Sequence, residues 1–265
     1  MALWNLFLST WTWEPSVIFG CLALLLGYVA ALRFRLSRSA LYFFAGVFVL
    51  LLALISPLDM LGDLYLLSAH MLQHLLLVLV VPPLLLLGIP ESLAQEALHW
   101  PLLARLERLF MRPLVAWFIG VGTLTLWHAP ALYEAALEYE PIHILEHLAF
   151  IASSVIFWLP VLTPLKARRL SPLATAWYLM PAASATTLLG LAIAYAPHVL
   201  YPFYLRTTDP RGILFLLRDQ WGINAKSDQE TAGLMMWVPG SFVYLGAIMI
   251  PIARWFNFSD QRSEA

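Results

Sequence analysis

The chain has 265 residues, of which 61% are hydrophobic and only 12% charged, with a net charge of −1. A soluble domain carries about 25% charged residues, so the deficit excludes an ordinary water-soluble globule and points to an integral membrane protein. The near-zero net charge gives no reason to expect a nucleic-acid partner, and the one cysteine, Cys21, excludes a disulfide framework or a cysteine zinc site.

The N-terminus lacks the basic region of a cleavable signal peptide, and Trp4, Trp11 and Trp13 read as an interfacial belt. Seven apolar stretches follow, at about 15–32, 40–56, 64–87, 109–127, 142–162, 173–195 and 232–253. Each approaches the roughly 20 residues that cross a bilayer. The expected fold is therefore all-α: one membrane domain over 1–265, a bundle of seven transmembrane helices. Prolines inside the stretches, such as Pro82, Pro83, Pro181 and Pro239, predict kinks that neighbouring helices tolerate.

Loop charges predict the orientation. The first, third and fifth loops and the tail carry Arg33, Arg35, Arg38, Arg105, Arg108, Arg112, Lys166, Arg168, Arg169, Arg254 and Arg262, eleven of the 15 basic residues. The second and fourth loops carry Asp59, Asp63, Glu134, Glu138 and Glu140 and no Lys or Arg. Only the long sixth loop, 196–231, breaks the pattern, with Arg206, Arg211, Arg218 and Lys226. The N-terminus is expected outside, the C-terminus in the cytoplasm. Segment 88–112 is then cytoplasmic, and its apolar residues alternate with charges as in an interfacial helix broken at Trp100-Pro101.

On this topology six of the seven histidines fall at the outer face. His70 and His74 open the third span, and His143 and His147 open the fifth. Both pairs have the i, i+4 spacing that puts two imidazoles on one helix face. His128 closes the fourth span, and His198 follows the sixth in a loop. His99 belongs to the cytoplasmic segment and reads as a surface residue. Met60, Met71, Met235 and Met236 lie at the same depth, as do Asp59, Asp63, Glu146 and Asp228. Imidazole with thioether suits copper, and thioether favours Cu(I). Carboxylates can orient ligating imidazoles. The candidate metal site is thus His70, His74, His128, His143, His147, Met71, Met236, Asp63 and Asp228. Glu146 is adjacent to His147 and is expected to point about 100° away from that ring, free to pair with a neighbouring helix instead. Interfacial histidines bonded to loop carbonyls, and methionines used as packing, are the plain alternatives.

Four separated motifs carry a family resemblance: SPLDMLGDLYLLSAHMLQHLLL from Ser56 to Leu77, Trp127-His128-Ala129-Pro130 with Leu132-Tyr133, HILEHLAF from His143 to Phe150, and DQETAGLMMWVPG from Asp228 to Gly240. In that order they resemble the CtaG family of cytochrome c oxidase assembly factors. The resemblance implies a seven-helix protein of the bacterial inner membrane that helps to build haem–copper oxidase. It implies copper as cargo, the oxidase subunit carrying the copper site as partner, and no enzymatic activity. The sixth loop matches none of these motifs. Association with further copies of the chain is left open.

Three other classes compete. A di-iron membrane hydroxylase also uses His-x3-His, but with about eight histidines on the cytoplasmic side. A b-type cytochrome needs one axial histidine from each of two facing helices, which His70 and His147 would supply. A copper permease needs ligands through the bilayer, where the sequence has none at mid-depth.

Overall fold

The computed structural model describes residues 10–33 and 37–263, with side chains as far as Phe256. Trp4, Arg35 and the side chain of Arg262 lie outside the described residues. Among those residues the chain is helical, with no strand. The elements are α1 (Pro15–Ala31), α2 (Ala40–Ile55), α3 (Pro57–Leu64), α4 (Leu67–Gly88), α5 (Glu91–Ala97), α6 (Pro101–Phe110), α7 (Pro113–Trp127), α8 (Pro130–Glu138), α9 (Glu140–Leu162), α10 (Pro172–Ala194) and α11 (Ala225–Ser263).

Four helices, α4, α9, α10 and α11, are long and apolar enough to cross a membrane singly. The pairs α2–α3 and α6–α7 pass the same length and composition test together, bent by 45° and 79°, which gives up to six. The first apolar stretch forms α1, a shorter helix of 17 residues. The third stretch does not begin at residue 64 as expected, because the chain turns at Tyr65–Leu66 and α4 starts at Leu67. The seventh starts earlier than expected, at Ala225, and so carries Asp228 in its first turn. Helix α6 stands nearly perpendicular to α7. Leu102, Leu103, Leu106 and Leu109 are exposed along it, the arrangement of a helix lying in an interface.

Two prolines each free a backbone carbonyl, at the bend before Pro57 and within α4 at Pro82, and a side chain answers each. Pro57 has no N–H for the carbonyl of Ala53 four residues earlier. Gln73 reaches across from α4 and donates to it at 2.9 Å. Pro82 likewise frees the carbonyl of Val78. The helix loosens there into a π-helical turn at Leu76–Val80, and the Trp158 indole N–H donates to Val78 at 3.1 Å. Trp158 is 1% exposed. Trp158→Phe keeps most of the packing but strips that carbonyl of its donor. It is expected to cost about 1–3 kcal/mol of stability, read as a lower unfolding midpoint in detergent. An unchanged midpoint would show that the Trp158 bond to this carbonyl contributes nothing to stability.

Close helix contact relies on small residues. Helices α10 and α11 meet at Gly190 and Gly233, where a Cβ on Gly190 would stand 2.6 Å from the Gly233 carbonyl. The long loop after α10 is folded down onto the bundle. Tyr65 donates to the Asp209 carboxylate at 2.8 Å and accepts from the Arg211 amide at 2.9 Å. Burial raises the Asp209 carboxyl slightly, but hydrogen bonds from the Leu214 amide, the Tyr65 hydroxyl and the Ile213 amide outweigh it and hold the group below its ordinary range. Three of the four basic residues that broke the charge pattern have local partners. Arg206 pairs with Glu138, Lys226 with Glu230, and Arg218 donates to the carbonyl of Tyr204.

Candidate metal centre

The two His-x3-His pairs face each other. His70 and His74 lie in the first two turns of α4, with ring centres 4.3 Å apart. His143 and His147 lie in the first two turns of α9, 4.2 Å apart. Across the interface His70 is 5.3 Å from His143 and 6.0 Å from His147, and His74 is 5.6 Å from His147. His128, the residue that ends α7, comes within 5.9 Å of His74. Five histidines therefore share one end of the bundle. All but His143 are buried.

Backbone and tyrosine partners define two of the rings. The Tyr204 hydroxyl donates to the carbonyl of Gly62 at 2.8 Å. Its one proton is spent there, so at 3.2 Å it accepts from His70 Nδ1. His70 Nε2 is left with a lone pair. His128 Nδ1 lies 2.7 Å from the Leu124 carbonyl, which can only accept. His128 Nε2 is therefore the free lone pair in the neutral ring. This is the support that ligating imidazoles use, with one nitrogen anchored and the other open.

Several donor atoms are buried with no hydrogen-bond partner. They are His70 Nε2, both nitrogens of His74, His143 Nε2, His147 Nε2, both oxygens of Glu146 and Oδ1 of Asp63. His74 Nε2 stands 4.0 Å from Glu146 Oε2, and His143 Nε2 stands 3.5 Å from Asp63 Oδ1. Two overlapping sets each have their donor atoms within 4.8 Å of one another: His70, His74, Glu146 and His147, and Asp63, His70 and His143. Tetrahedral bonds of about 2.1 Å need donors about 3.4 Å apart. Side-chain shifts of roughly 1 Å would bring either set into register.

The remaining candidates fall into two groups. Met71 is fully buried with Sδ 3.4 Å from His128 Nε2, and Met236 lines a cavity of about 20 Å³ together with Met71, His74 and His128. Asp228 stands apart from the histidines. It accepts from the Ser68 hydroxyl and the Ser68 amide and so caps the start of α4. Asp59 accepts from Thr12 and Gln73. Met60 packs with Tyr65, Ile213 and Leu217. His99 and His198 are exposed and far from the cluster in sequence and element. Glu138 is paired with Arg206.

Glu146, left out of the candidate set, faces His74 on the neighbouring helix and is fully buried inside the histidine set. It is three residues after His143, and i, i+3 neighbours share a face as closely as i, i+4 ones do. Tyr204 and Tyr201 gave no such signal, because they sit in the long loop at the turn Pro202–Leu205 and just before it. Tyr201 donates to the carbonyl of His128 at 2.9 Å and packs on Tyr133, 4.2 Å between centres. The loop is thus a lid over the histidines.

No curated protein and no solved structure matches this chain. A family model does. It is the one described as cytochrome c oxidase caa3 assembly factor, and it matches residues 22–257, nearly the whole chain. All of α2 to α10 and most of α11 lie inside that range, the histidine cluster with them. The chain belongs to the family of cytochrome c oxidase caa3 assembly factors, an assembly role rather than an enzymatic one.

Proposed function

We propose that this assembly factor binds copper at the outer end of its bundle and delivers it to the copper-bearing subunit of a haem–copper oxidase. The observation that carries the reading is the set of buried, unpartnered donors on α4 and α9. An unpaired buried polar atom costs about 1–3 kcal/mol, and here seven such atoms from five side chains of these two helices converge. An apolar contact between the same helices would avoid that cost, so the arrangement is that of a ligand site. Imidazole and thioether are the ligand types that suit copper. His70, His74, His143, His147 and Glu146 would hold the ion. Asp63 would steer His143, and Met71, His128 and Met236 would complete the soft side. Asp228 serves the site by fixing the start of the helix that carries His70.

The porphyrin alternative fits less well. His74 lies 4.3 Å from His70 and 5.6 Å from His147, in the space a macrocycle between those two rings would occupy. The cavity lined by His74 and His128 is about 20 Å³, against the hundreds of Å³ that a ligand of drug size needs.

The membrane reading follows the loop charges. We propose that all seven apolar helices cross the bacterial inner membrane, α1 and α7 as short spans, with the N-terminus and the histidine end outside. A reporter fused after Ala265 is expected to read cytoplasmic; a periplasmic signal would put the histidines on the wrong face for delivery. Metal analysis tests the site itself. The purified protein is expected to carry copper, and the His70→Ala/His74→Ala protein is expected to lose it. Equal copper in both proteins would remove the site from consideration, and a Soret band would replace copper by haem.

A further inference from the structure

The candidate donors are of two chemical kinds, and the structure keeps them apart. On the α9 side are imidazoles and a carboxylate, His70, His147 and Glu146. On the α7 and α11 side are thioethers and one imidazole. His128 Nε2 carries a lone pair, since Nδ1 donates to the Leu124 carbonyl. It faces Met71 Sδ at 3.4 Å. A thioether sulfur has no proton to give, so two lone pairs are opposed, with His128 3% and Met71 0% exposed. Beside them is the cavity of about 20 Å³, which Met236 also lines. A single water needs about 10–15 Å³, so the space suits one small particle. The Thr186 hydroxyl, also in the lining, is spent on the Ala182 carbonyl. Thr186 and Tyr244 bring only neutral hydroxyl oxygens to the lining, which are weak ligands for a soft ion, so the strong soft donors at the space are the imidazole nitrogens and the thioether sulfurs.

We propose that Met71, His128 and Met236 form a second metal station, selective for a soft monovalent ion such as Cu(I), next to an imidazole–carboxylate station that takes a divalent ion. This rests on the metal-binding reading above. Thioether ligands select soft monovalent ions, whereas imidazole and carboxylate suit borderline and harder divalent ones. His74 joins the two. Both of its nitrogens are unpartnered, one stands 4.0 Å from Glu146, and the same ring lines the soft cavity. A neutral imidazole has one lone pair, so His74 serves one station at a time. Filling either station weakens the other.

The test uses the full chain in detergent with two probes, Ag(I) as a redox-inert soft ion and Co(II) as a divalent ion with a visible spectrum. The wild type is expected to bind one of each, each weakening the other. Met71→Leu and Met236→Leu, which nearly conserve volume, are expected to weaken Ag(I) at least about 10-fold and leave the Co(II) spectrum intact. Glu146→Gln and His147→Ala are expected to do the reverse. If every variant weakens both probes together, there is one mixed site and the two-station proposal fails while metal binding stands. Ag(I) affinity unchanged by both methionine variants also overturns it. A wild type that binds neither probe overturns the metal reading as well.

Discussion

Cells that carry His147→Ala, or His70→Ala, are expected to keep the protein in the membrane but to fail in maturing oxidase at limiting copper. Both rings lie where α4 meets α9, and each brings an unpartnered Nε2 to the cluster. Removing either imidazole takes away a ligand and an unpartnered buried Nε2, and His70→Ala also gives up the bond to Tyr204. The cavity left behind is the main structural cost, and the nearby α4–α9 contacts, such as His74 on Phe150 at 4.6 Å, stay in place. The readout is oxidase activity at limiting and excess copper, with the variant's abundance followed by blot. Normal activity at limiting copper would end the delivery hypothesis. Disappearance of the protein at every copper level would make the histidines structural. Rescue by excess copper would be the strongest support, since it ties the defect to affinity.

Tyr204→Phe is expected to weaken metal binding about 10–100-fold, or about 1.4–2.8 kcal/mol, without touching a ligand. The hydroxyl donates to Gly62 and accepts from His70 Nδ1. Without it the His70 proton has no fixed place, and the tautomer with the lone pair on Nδ1, aimed at Tyr204 rather than into the cluster, becomes available. Gly62 also loses its donor. That glycine is where α3 approaches α4 most closely, as a Cβ there would meet His70 Cα at 2.9 Å. The measurement is a competition titration with a chelator on the detergent-purified protein. An affinity equal to wild type would show that Tyr204 closes the lid without tuning the ligand.

The sequence by itself determined the class, the apolar helices and the core of the candidate site. Twelve per cent charge cannot solvate a surface of this size, and helices α1, α2, α4, α7, α9, α10 and α11 stand on the seven apolar stretches. The His-x3-His pairs were legible because helical periodicity is local. Four residues make slightly more than one turn, so each pair shares a face whatever the rest of the chain does. Tertiary structure decided what depended on a partner far along the chain. Asp228 accepts from Ser68, 160 residues away; no local pattern carries that distance. The fifth and third stretches had to dock before Glu146 could be seen to point at His74. The long loop held no periodic signal, yet it supplies Tyr201 and Tyr204, because an irregular segment is placed by its contacts rather than by its own repeat. The prolines announced bends, but only packing showed that Gln73 and Trp158 answer the carbonyls those bends set free. A carbonyl buried in an apolar bundle needs a donor, and which side chain comes within 3 Å of it is a matter of helix packing.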